Sequence, residues 1–430
     1  MITAPKGTRD IFGSEAAARR RLERIIDELC ATFGYSEIRT PIFEAEELFR
    51  RGVGETTDVV SKEMFVFADK GGRMNALRPE GTAGAVRAYI ENGMGSMTQP
   101  VKMYYNGPLF RHERPQAGRY RQYNSFGAEV IGSGEPETDA EVISLAHELL
   151  RRLGIKNTTL HINSLGCPDC RKKHGEALKN FVGDRLSALC PTCAERFERN
   201  PMRILDCKES ACKKILTDAP RTADFLDEKC AAHFEKVKTL LTALGIPFVY
   251  DPAIVRGLDY YTRTVFEFIY DNAEAAALGA QNVVCGGGRY DGLTKLLGGA
   301  DTPAAGFGLG IERLIMILEA EGSPVLTDDA DGACDIFIGS IGEAGNLAAQ
   351  RAVYELRKAG HAAAGDANAR SVKAQMKYAG KLNARYSAII GDTELAAGRC
   401  AVKDMRGGET YEVEIFKISE FLQNTHCAVK

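Results

Sequence analysis

Between Gly107 and Glu129 the chain sets four arginines, Arg111, Arg114, Arg119 and Arg121, within eleven residues that hold one acid, Glu113. Cationic side chains at that density suit phosphate oxygens. Residues 101–131 read as two antiparallel strands around a polar loop at about 112–119. On the second strand Arg121, Tyr123, Ser125, Gly127 and Glu129 share one face. Small residues at 125 and 127 leave a hollow there, with the Glu129 carboxylate at its edge. The competing reading of such a loop is a solvated hairpin with surface ion pairs.

Three more clusters could do chemistry. They are Arg256-Gly-Leu-Asp259-Tyr260-Tyr261 with its extension to Glu267, Cys285-Gly-Gly-Gly288-Arg289-Tyr290-Asp291-Gly292, and Gly306-Phe-Gly308-Leu-Gly310-Ile-Glu312-Arg313. Aromatics like those of the first usually fill cores. Glycines ahead of a helix let backbone approach a flat or anionic ligand, although each cluster alone reads as a turn. A dinucleotide fingerprint starting at Gly286 fails at its sixth position, Asp291, and no GK[ST] phosphate loop occurs. H-E-x-x-H and G-x-S-x-G are missing too, which removes the common zinc-protease and serine-hydrolase readings.

Cysteines form a separate group. Six of the twelve fall between Cys167 and Cys212. Cys167-Pro-Asp-Cys170 and Cys190-Pro-Thr-Cys193 are C-x2-C pairs at a spacing that zinc sites use, with Cys207 and Cys212 able to replace one pair. A structural zinc on Cys167, Cys170, Cys190 and Cys193, plain reduced thiols, and redox chemistry all remain open.

These residues need elements to position them. Leu22, Ile25, Ile26, Leu29, Cys30 and Phe33 line one face of a first helix that Ser14 can cap and Gly34 stops. Tyr35–Pro41 reads as a strand, and another reaching Leu77 leads through Arg78-Pro79-Glu80-Gly81 to a helix from Thr82. A helix is expected over Asp139–Leu153, then a helical, cysteine-rich insertion at about 164–232. Strands follow at 247–270 and 282–286, and a helix begins near Gly310. A linker is expected at 326–333, after which strands and helices alternate over 334–430. The expected fold class is α/β (α+β): an antiparallel-sheet domain over 1–325 carrying the insertion, and a C-terminal α/β domain.

Composition sets the outer bounds. Of 430 residues, 44% are hydrophobic and 26% charged, as in ordinary globular chains. The net charge of −3 gives no basic field to announce nucleic acid. No signal peptide is expected at MITAPKGTRD, and no apolar run of about 18 residues suggests a membrane helix. A cytoplasmic protein without a membrane association is expected.

The clusters, in this order, resemble the signature motifs of class II aminoacyl-tRNA synthetases, and of the histidyl-tRNA synthetase family in particular. The first helix and strand resemble motif 1, Phe110–Glu129 motif 2, and Gly308–Arg313 motif 3. Arg256–Tyr261 and Gly287–Asp291 resemble the two histidine-specific segments, and Leu77–Thr82 the amino-acid loop. The likeness runs from Lys6 into the last domain. It implies a homodimer that joins L-histidine to tRNA(His) through histidyl-adenylate, with ATP as co-substrate and Mg2+ at the pyrophosphate end.

By the same resemblance Arg111 and Arg256 are the catalytic cations, and Arg111, Glu113 and Arg313 hold ATP. Histidine falls to Glu80, Gly81, Thr82, Arg111, Ser125, Glu129, Arg256, Tyr260, Tyr261 and Tyr290. The tRNA acceptor end falls to Arg114, Gln116, Arg119 and Arg121, and the last domain to the anticodon. In that domain Arg370, Lys373 and Lys377 are expected along one helical side. Its 13 basic and 11 acidic residues from Cys334 onward make charge alone a weak argument. Many members carry Gln where this chain has Ser125, which leaves the contact with the α-ammonium group to a water or another residue. A synthetase-like regulatory subunit of histidine biosynthesis is the rival reading. Such paralogues lack the anticodon domain and parts of the motifs, whereas this chain keeps Arg111, Arg256, Arg313 and a full last domain.

Overall fold

Side chains alternating across Val101–Phe110 and Gln122–Ile131 build the expected hairpin, with Tyr105 opposite Gly127 and Gly107 opposite Ser125. The computed structural model describes all residues except 56, 116–117, 206, 208, 272–281, 327–333 and 428–430. Within it the hairpin joins an eight-stranded sheet. The strand order is Ser36–Glu37, Val101–Phe110, Gln122–Ile131, Ala304–Gly310, Val283–Arg289, Thr262–Tyr270, Thr158–Ser164, Phe248–Tyr250. The six central strands pair antiparallel, and the two edge strands run parallel to their neighbours.

One face of this sheet is the core. Tyr104, Phe126, Ala128, Phe266, Phe268 and Phe307 pack against Leu22 and Ile26 of the helix Gly13–Thr32, Ile143 and Leu149 of Pro136–Arg152, Phe234 and Val237 of Glu228–Ala243, and Leu314 and Ile317 of Ile311–Ala320. The alternate residues point to the opposite face, where the glycines lie.

Several expectations change in detail. The first helix begins at Gly13 behind an extended Phe12 with no side-chain cap, so Ser14 lies inside its first turn. The strand expected over 35–41 is reduced to Ser36–Glu37, where it pairs with Met103–Tyr104. Both glycine clusters read as turns are strand interiors paired with each other, Gly286 opposite Gly308 and Gly288 opposite Gly306. Sheet glycines weaken local propensity and mark close approach of other groups. Here the Arg256 guanidinium and the Glu129 carboxyl occupy the space that Cβ atoms at Gly286 and Gly306 would take. The strand Ala304–Gly310 was hidden by the same glycines.

The insertion is helical, with Pro168–Val182, Pro191–Arg199 and Ser210–Leu216 before the helix Glu228–Ala243. The described chain divides into two units, Met1–Leu326 and Thr327–Lys430. From residue 327 the expected linker lies outside the described residues. In the second unit the strands Ala363–Gly365, Ile336–Ser340 and Tyr386–Ile390 are parallel, and Arg399–Asp404 and Thr410–Glu414 complete the sheet antiparallel. Arg370 precedes the helix Val372–Lys381 instead of lying on it. It pairs with Asp366 and stacks over Tyr378 at 4.3 Å, while Lys373 and Lys377 are exposed.

A buried ionic network ties the first unit together. Arg289, with no exposed surface, donates to Asp139 Oδ1 (2.9 Å), Asp291 Oδ1 (3.1 Å) and the carbonyls of Ser133 (2.9 Å) and Glu135 (3.0 Å). Asp139 Oδ2 meets His233 Nε2 (2.6 Å) and the Thr264 hydroxyl (2.8 Å). Burial pushes the Asp139 carboxyl up, but the His233 bond and the Arg289 charge outweigh it and hold it below its ordinary 3.8. Breaking such a pair from one side leaves an uncompensated buried charge. Arg289→Leu should therefore cost about 3–5 kcal/mol in urea unfolding. The Asp139 contribution should be present above its ordinary pKa and fade as pH falls through the lowered native value. A loss under about 1 kcal/mol would mean that the network is slack.

Candidate active site

Register places one row of residues straight across five strands: Tyr105, Gly127, Gly308, Gly286 and Glu267. Three adjacent glycines thus make a bare floor between a tyrosine and a glutamate. Each glycine has a separate reason. A Cβ at Gly127 would strike the Tyr105 ring, one at Gly286 the Arg256 guanidinium, and one at Gly306 in the next row the Glu129 carboxyl. Above Gly308 the nearest atom to an added Cβ is Ser125 Oγ at 3.8 Å, so the floor is open there.

A cavity of about 250 Å3 stands on this floor. Its lining includes Glu80, Gly81, Thr82, Tyr105, Arg111, Tyr123, Ser125, Arg256, Leu258, Tyr261, Gly286, Gly308 and Arg313. A second cavity of about 240 Å3 is lined by Arg111, Glu113, Gly118, Arg119, Tyr120, Tyr123, Gly310, Glu312 and Arg313. Arg111, Tyr123, Gly310 and Arg313 line both. The two cavities therefore meet at a cationic boundary.

Each cation is fixed by identifiable contacts. Arg111 Nε donates to the Pro79 carbonyl (3.0 Å), and its guanidinium lies 5.9 Å from the Tyr123 ring centroid. Arg256 pairs with Glu267 and lies 5.3 Å from the Tyr261 ring centroid. Burial works against the Arg256 charge, but Tyr261 and Glu267 more than offset it and raise its pKa. Its Nε–H is buried without a hydrogen-bond partner among the described residues. A buried donor of that kind suits an anionic ligand. Arg313 donates to the Val283 carbonyl, and burial and the nearby Arg119 lower its pKa.

Acids and hydroxyls occupy the inner end. Glu80 lies one residue before Gly81, the N-cap of the helix Thr82–Glu91, and accepts from the Thr82 and Ala83 N–H groups at 2.8 Å, while burial raises its pKa. Glu129 is fully buried and accepts from Thr82 Oγ1 (2.7 Å), Tyr290 OH (2.5 Å) and Tyr105 OH (3.2 Å). Burial pushes its pKa up to about 8 against these hydrogen bonds. Tyr260 lies 4.7 Å from Tyr261 and 5.6 Å from Tyr290, centroid to centroid. Ser125 Oγ donates to the Leu309 carbonyl (2.9 Å).

The Arg256–Tyr261 segment is braced by the insertion. Arg171 Nη1 donates to the carbonyls of Tyr261 (3.0 Å) and Asp259 (3.4 Å), and Asn200 Nδ2 to Asp259 Oδ1 (3.0 Å). Glu312 joins three sequence regions, accepting from Asn124 N (2.9 Å) and pairing with Arg19 (3.0 Å) of the first helix.

Of the residues expected to handle histidine, Glu80, Gly81, Thr82, Arg111, Ser125, Arg256 and Tyr261 line the first cavity, while Glu129, Tyr260 and Tyr290 pack beneath or beside its walls. The nucleotide candidates Arg111, Glu113 and Arg313 share the second cavity. Arg119 also sits there, with Nε 2.5 Å from Glu113. Arg121 donates to the Glu113 carbonyl (3.3 Å), Arg114 is exposed, and Gln116 lies outside the described residues. Sequence reasoning passed over Tyr105, and it named Tyr123, Glu267 and Glu312 within their clusters without giving them a role. Glu267 left a signal, a lone acid in the apolar strand Val265–Phe268.

The expected grouping of Cys167, Cys170, Cys190 and Cys193 is not found. Cys167 and Cys170 gather with Asp227 and Cys230, and Cys190 and Cys193 gather with Cys207 and Cys212. The two C-x2-C pairs start different helices, and each gathers its own set of partners.

The histidyl-tRNA synthetase family profile matches residues 7–170 and 171–314, and an anticodon binding domain profile matches 335–425. The chain is 52% identical over 416 residues to a histidine–tRNA ligase of Acetivibrio thermocellus, covering 96% of this chain and 98% of that one. A Clostridium perfringens histidine–tRNA ligase is 49% identical, covering 96% and 97%. Among solved structures, apo histidyl-tRNA synthetase of Staphylococcus aureus is 41% identical with a TM-score of 0.84, covering 98% of this chain and all of that one. With residues 7–314 of the chain inside the family profile and relatives matched over almost their whole length, the chain belongs to the histidyl-tRNA synthetase family.

Proposed function

We propose that the chain ligates L-histidine to tRNA(His), activating histidine in the first cavity with ATP in the second. The histidine carboxylate attacks the α-phosphorus, forming histidyl-adenylate and releasing pyrophosphate. The adenylate then passes its histidyl group to the terminal ribose of tRNA and releases AMP. The observation that carries this reading is the cationic boundary, where Arg111 and Arg313 line both cavities and Arg256 the first. Charge grows on the phosphoryl oxygens in the transition state, and fixed cations in a partly dry site are worth more there than in water. Arg256, with a buried N–H to give, meets the α-phosphate and the histidine carboxylate together. Glu113 meets adenine. Histidine-dependent ATP–pyrophosphate exchange followed by charging of tRNA tests the whole sequence, and a folded chain that shows no exchange would overturn it.

At the inner end the imidazole ring meets Glu129 and the Tyr261 hydroxyl, with Tyr260 and Tyr290 around it. Glu80, Gly81 and Thr82 face the α-ammonium group, and Ser125 lines the pocket beside them. Mg2+ accompanies the pyrophosphate end of ATP. Glu113 and Glu312, the acids of the second cavity, are already paired with Arg119 and Arg19 and make no dedicated cation site. The acceptor end of tRNA meets Arg114, Gln116, Arg119 and Arg121, and the unit from Thr327 holds the anticodon. Two copies of the chain pair through the first-helix region and a three-stranded sheet of Phe43–Ala45, Met74–Leu77 and Val66–Ala68, in and beside which Ile42, Phe43, Val66, Phe67 and Met74 are all at least 40% exposed. Among the described residues no helix is long and apolar enough to cross a membrane, consistent with work in the cytoplasm beside tRNA and ATP.

Arg256→His should leave the fold and ATP binding largely intact and slow exchange by about two orders of magnitude or more. A near-normal exchange rate would remove Arg256 from the chemistry.

Glu129 gives a pH test. Its native carboxyl keeps a proton that the unfolded chain loses above 4.5, so its contribution is present at low pH and is lost as pH rises towards about 8. Relative to Glu129→Gln, the wild type should lose stability between those values with a slope of up to about 1.4 kcal/mol per pH unit. Parallel stability profiles would show that the carboxyl ionises normally. The same variant should raise KM for histidine, because an amide cannot accept as strongly as a carboxylate.

A chain ending near Gly322 keeps every residue assigned to ATP or histidine. It should form histidyl-adenylate while kcat/KM for tRNA falls by orders of magnitude, once shown folded and dimeric. Undiminished charging would sink the anticodon role of the second unit.

A further inference from the structure

The insertion holds two sulfur-rich groups that the activation chemistry leaves unused. In each, four potential ligand atoms lie within 4.8 Å of one another. We propose that the insertion binds two structural zinc ions, one on Cys190, Cys193, Cys207 and Cys212, the other on Cys167, Cys170, Cys230 and Asp227 Oδ2.

The distances suit tetrahedra. Zinc–sulfur bonds of about 2.3 Å put neighbouring sulfurs about 3.8 Å apart. Cys190 and Cys207 sulfurs are 3.8 Å apart, Cys167 and Cys170 sulfurs 3.5 Å, and Cys167 Sγ is 3.2 Å from Asp227 Oδ2. Disulfides would need about 2.05 Å.

The local chain is built alike at both places. Cys167 and Cys190 are each the residue before a helix, followed by proline at its first position and a second cysteine at its third. Proline there is already set for the helix, so the C-P-x-C turn presents both sulfurs together. Backbone N–H groups point at sulfur in both groups, Asp227 N at Cys170 Sγ (3.1 Å) and Cys190 N at Cys212 Sγ (3.2 Å). Such donors stabilise thiolates. Asp227 divides its oxygens between two tasks. Oδ1 caps the helix Glu228–Ala243 by accepting from Cys230 N (2.7 Å), and Oδ2 faces the sulfurs.

Hydrophobic packing offers little substitute. Among the described residues, the buried core around Cys193, Cys207 and Cys212 adds just Leu178, Val182, Leu189 and Ile204, with half-buried side chains such as Phe181, Phe197 and Ile215 packed around it. Small units with thin cores commonly need a metal. Four protein ligands leave no open position for catalysis. The second site joins the entry of the insertion to its exit. It also lies next to Arg171, which holds the Asp259 and Tyr261 carbonyls.

The test uses the full chain, purified under reducing conditions without added metal or chelator. Elemental analysis should find two zinc ions per chain, and zinc-edge absorption seven sulfurs and one oxygen for every two ions. Cys193→Ser and Cys230→Ser should each retain one zinc and the double variant none. Should a variant fail to fold, stepwise mercurial titration of the wild type replaces it, with two zinc ions released as the seven thiols react. One zinc per chain in the wild type overturns the two-site assignment. No zinc and no uptake of added zinc, iron in its place, or a sulfur count below seven overturns the proposal as well. None of these outcomes bears on adenylate formation, so the zinc assignment and the activation reading fail separately.

Discussion

Glu129 carries its carboxyl inside an eight-stranded sheet with no exposed surface. A carboxyl in that position needs room and hydrogen-bond donors, and both needs shape the sequence around it. Room comes from Gly306, whose Cβ would overlap the carboxyl, and from Gly127, whose Cβ would overlap Tyr105. Donors come from three separate segments: Tyr105 on the adjacent strand, Thr82 at a helix start, and Tyr290 at the end of another strand. The amino-acid loop, the hairpin and one histidine-specific segment are thus held to one atom group. Side-chain bulk has been removed from the sheet where polar function enters it.

Tyr290 reaches Glu129 because its neighbour is anchored. Arg289 is gripped by Asp139, Asp291 and two carbonyls, and Asp139 in turn holds His233 and Thr264. Replacing such a network by apolar residues of like volume is often neutral for stability, so its presence is weak evidence of a need for stability alone. What it does supply here is a fixed position: Arg289 is immobilised on one side of the strand while the adjacent Tyr290 points to the other. Glu312 does similar work on the nucleotide side, joining Asn124 to Arg19.

The chemistry-bearing residues were legible because their types are unusual: arginine density at 111–121, paired tyrosines at 260–261, and C-x2-C pairs. The α/β class, the helical insertion and the alternating last domain were legible from periodicity. Glycine misled. Gly286–Gly288 and Gly306–Gly310 look like turns in isolation, and only the register shows them side by side as a floor. Asp227 and Cys230 were invisible for a different reason: they lie 57 and 60 residues from Cys170, and nothing local marks them as its partners. The role of Arg289 was hidden likewise, since Asp139 is 150 residues away.

Charge is distributed along the cavities in an order that chemistry can use. Arg313 and Arg111 stand at the shared boundary, Arg256 stands over the glycine floor, and Glu80 and Glu129 lie towards the inner end. On the proposed reading, an amino acid enters with its ammonium group towards acid and its carboxylate towards the cations that also hold the α-phosphate. Glu129, its carboxyl pushed up to about 8 by burial, is mostly neutral near pH 7 but within reach of its charged form. An imidazole N–H reaching it would tip that balance towards the carboxylate, adding a charge-assisted hydrogen bond. A side chain of similar size without the N–H leaves the buried acid no such gain and loses one of the ring's two polar contacts. Discrimination of that kind rests on unpaired buried groups and can reach about 10^4-fold, well beyond what pocket shape alone provides.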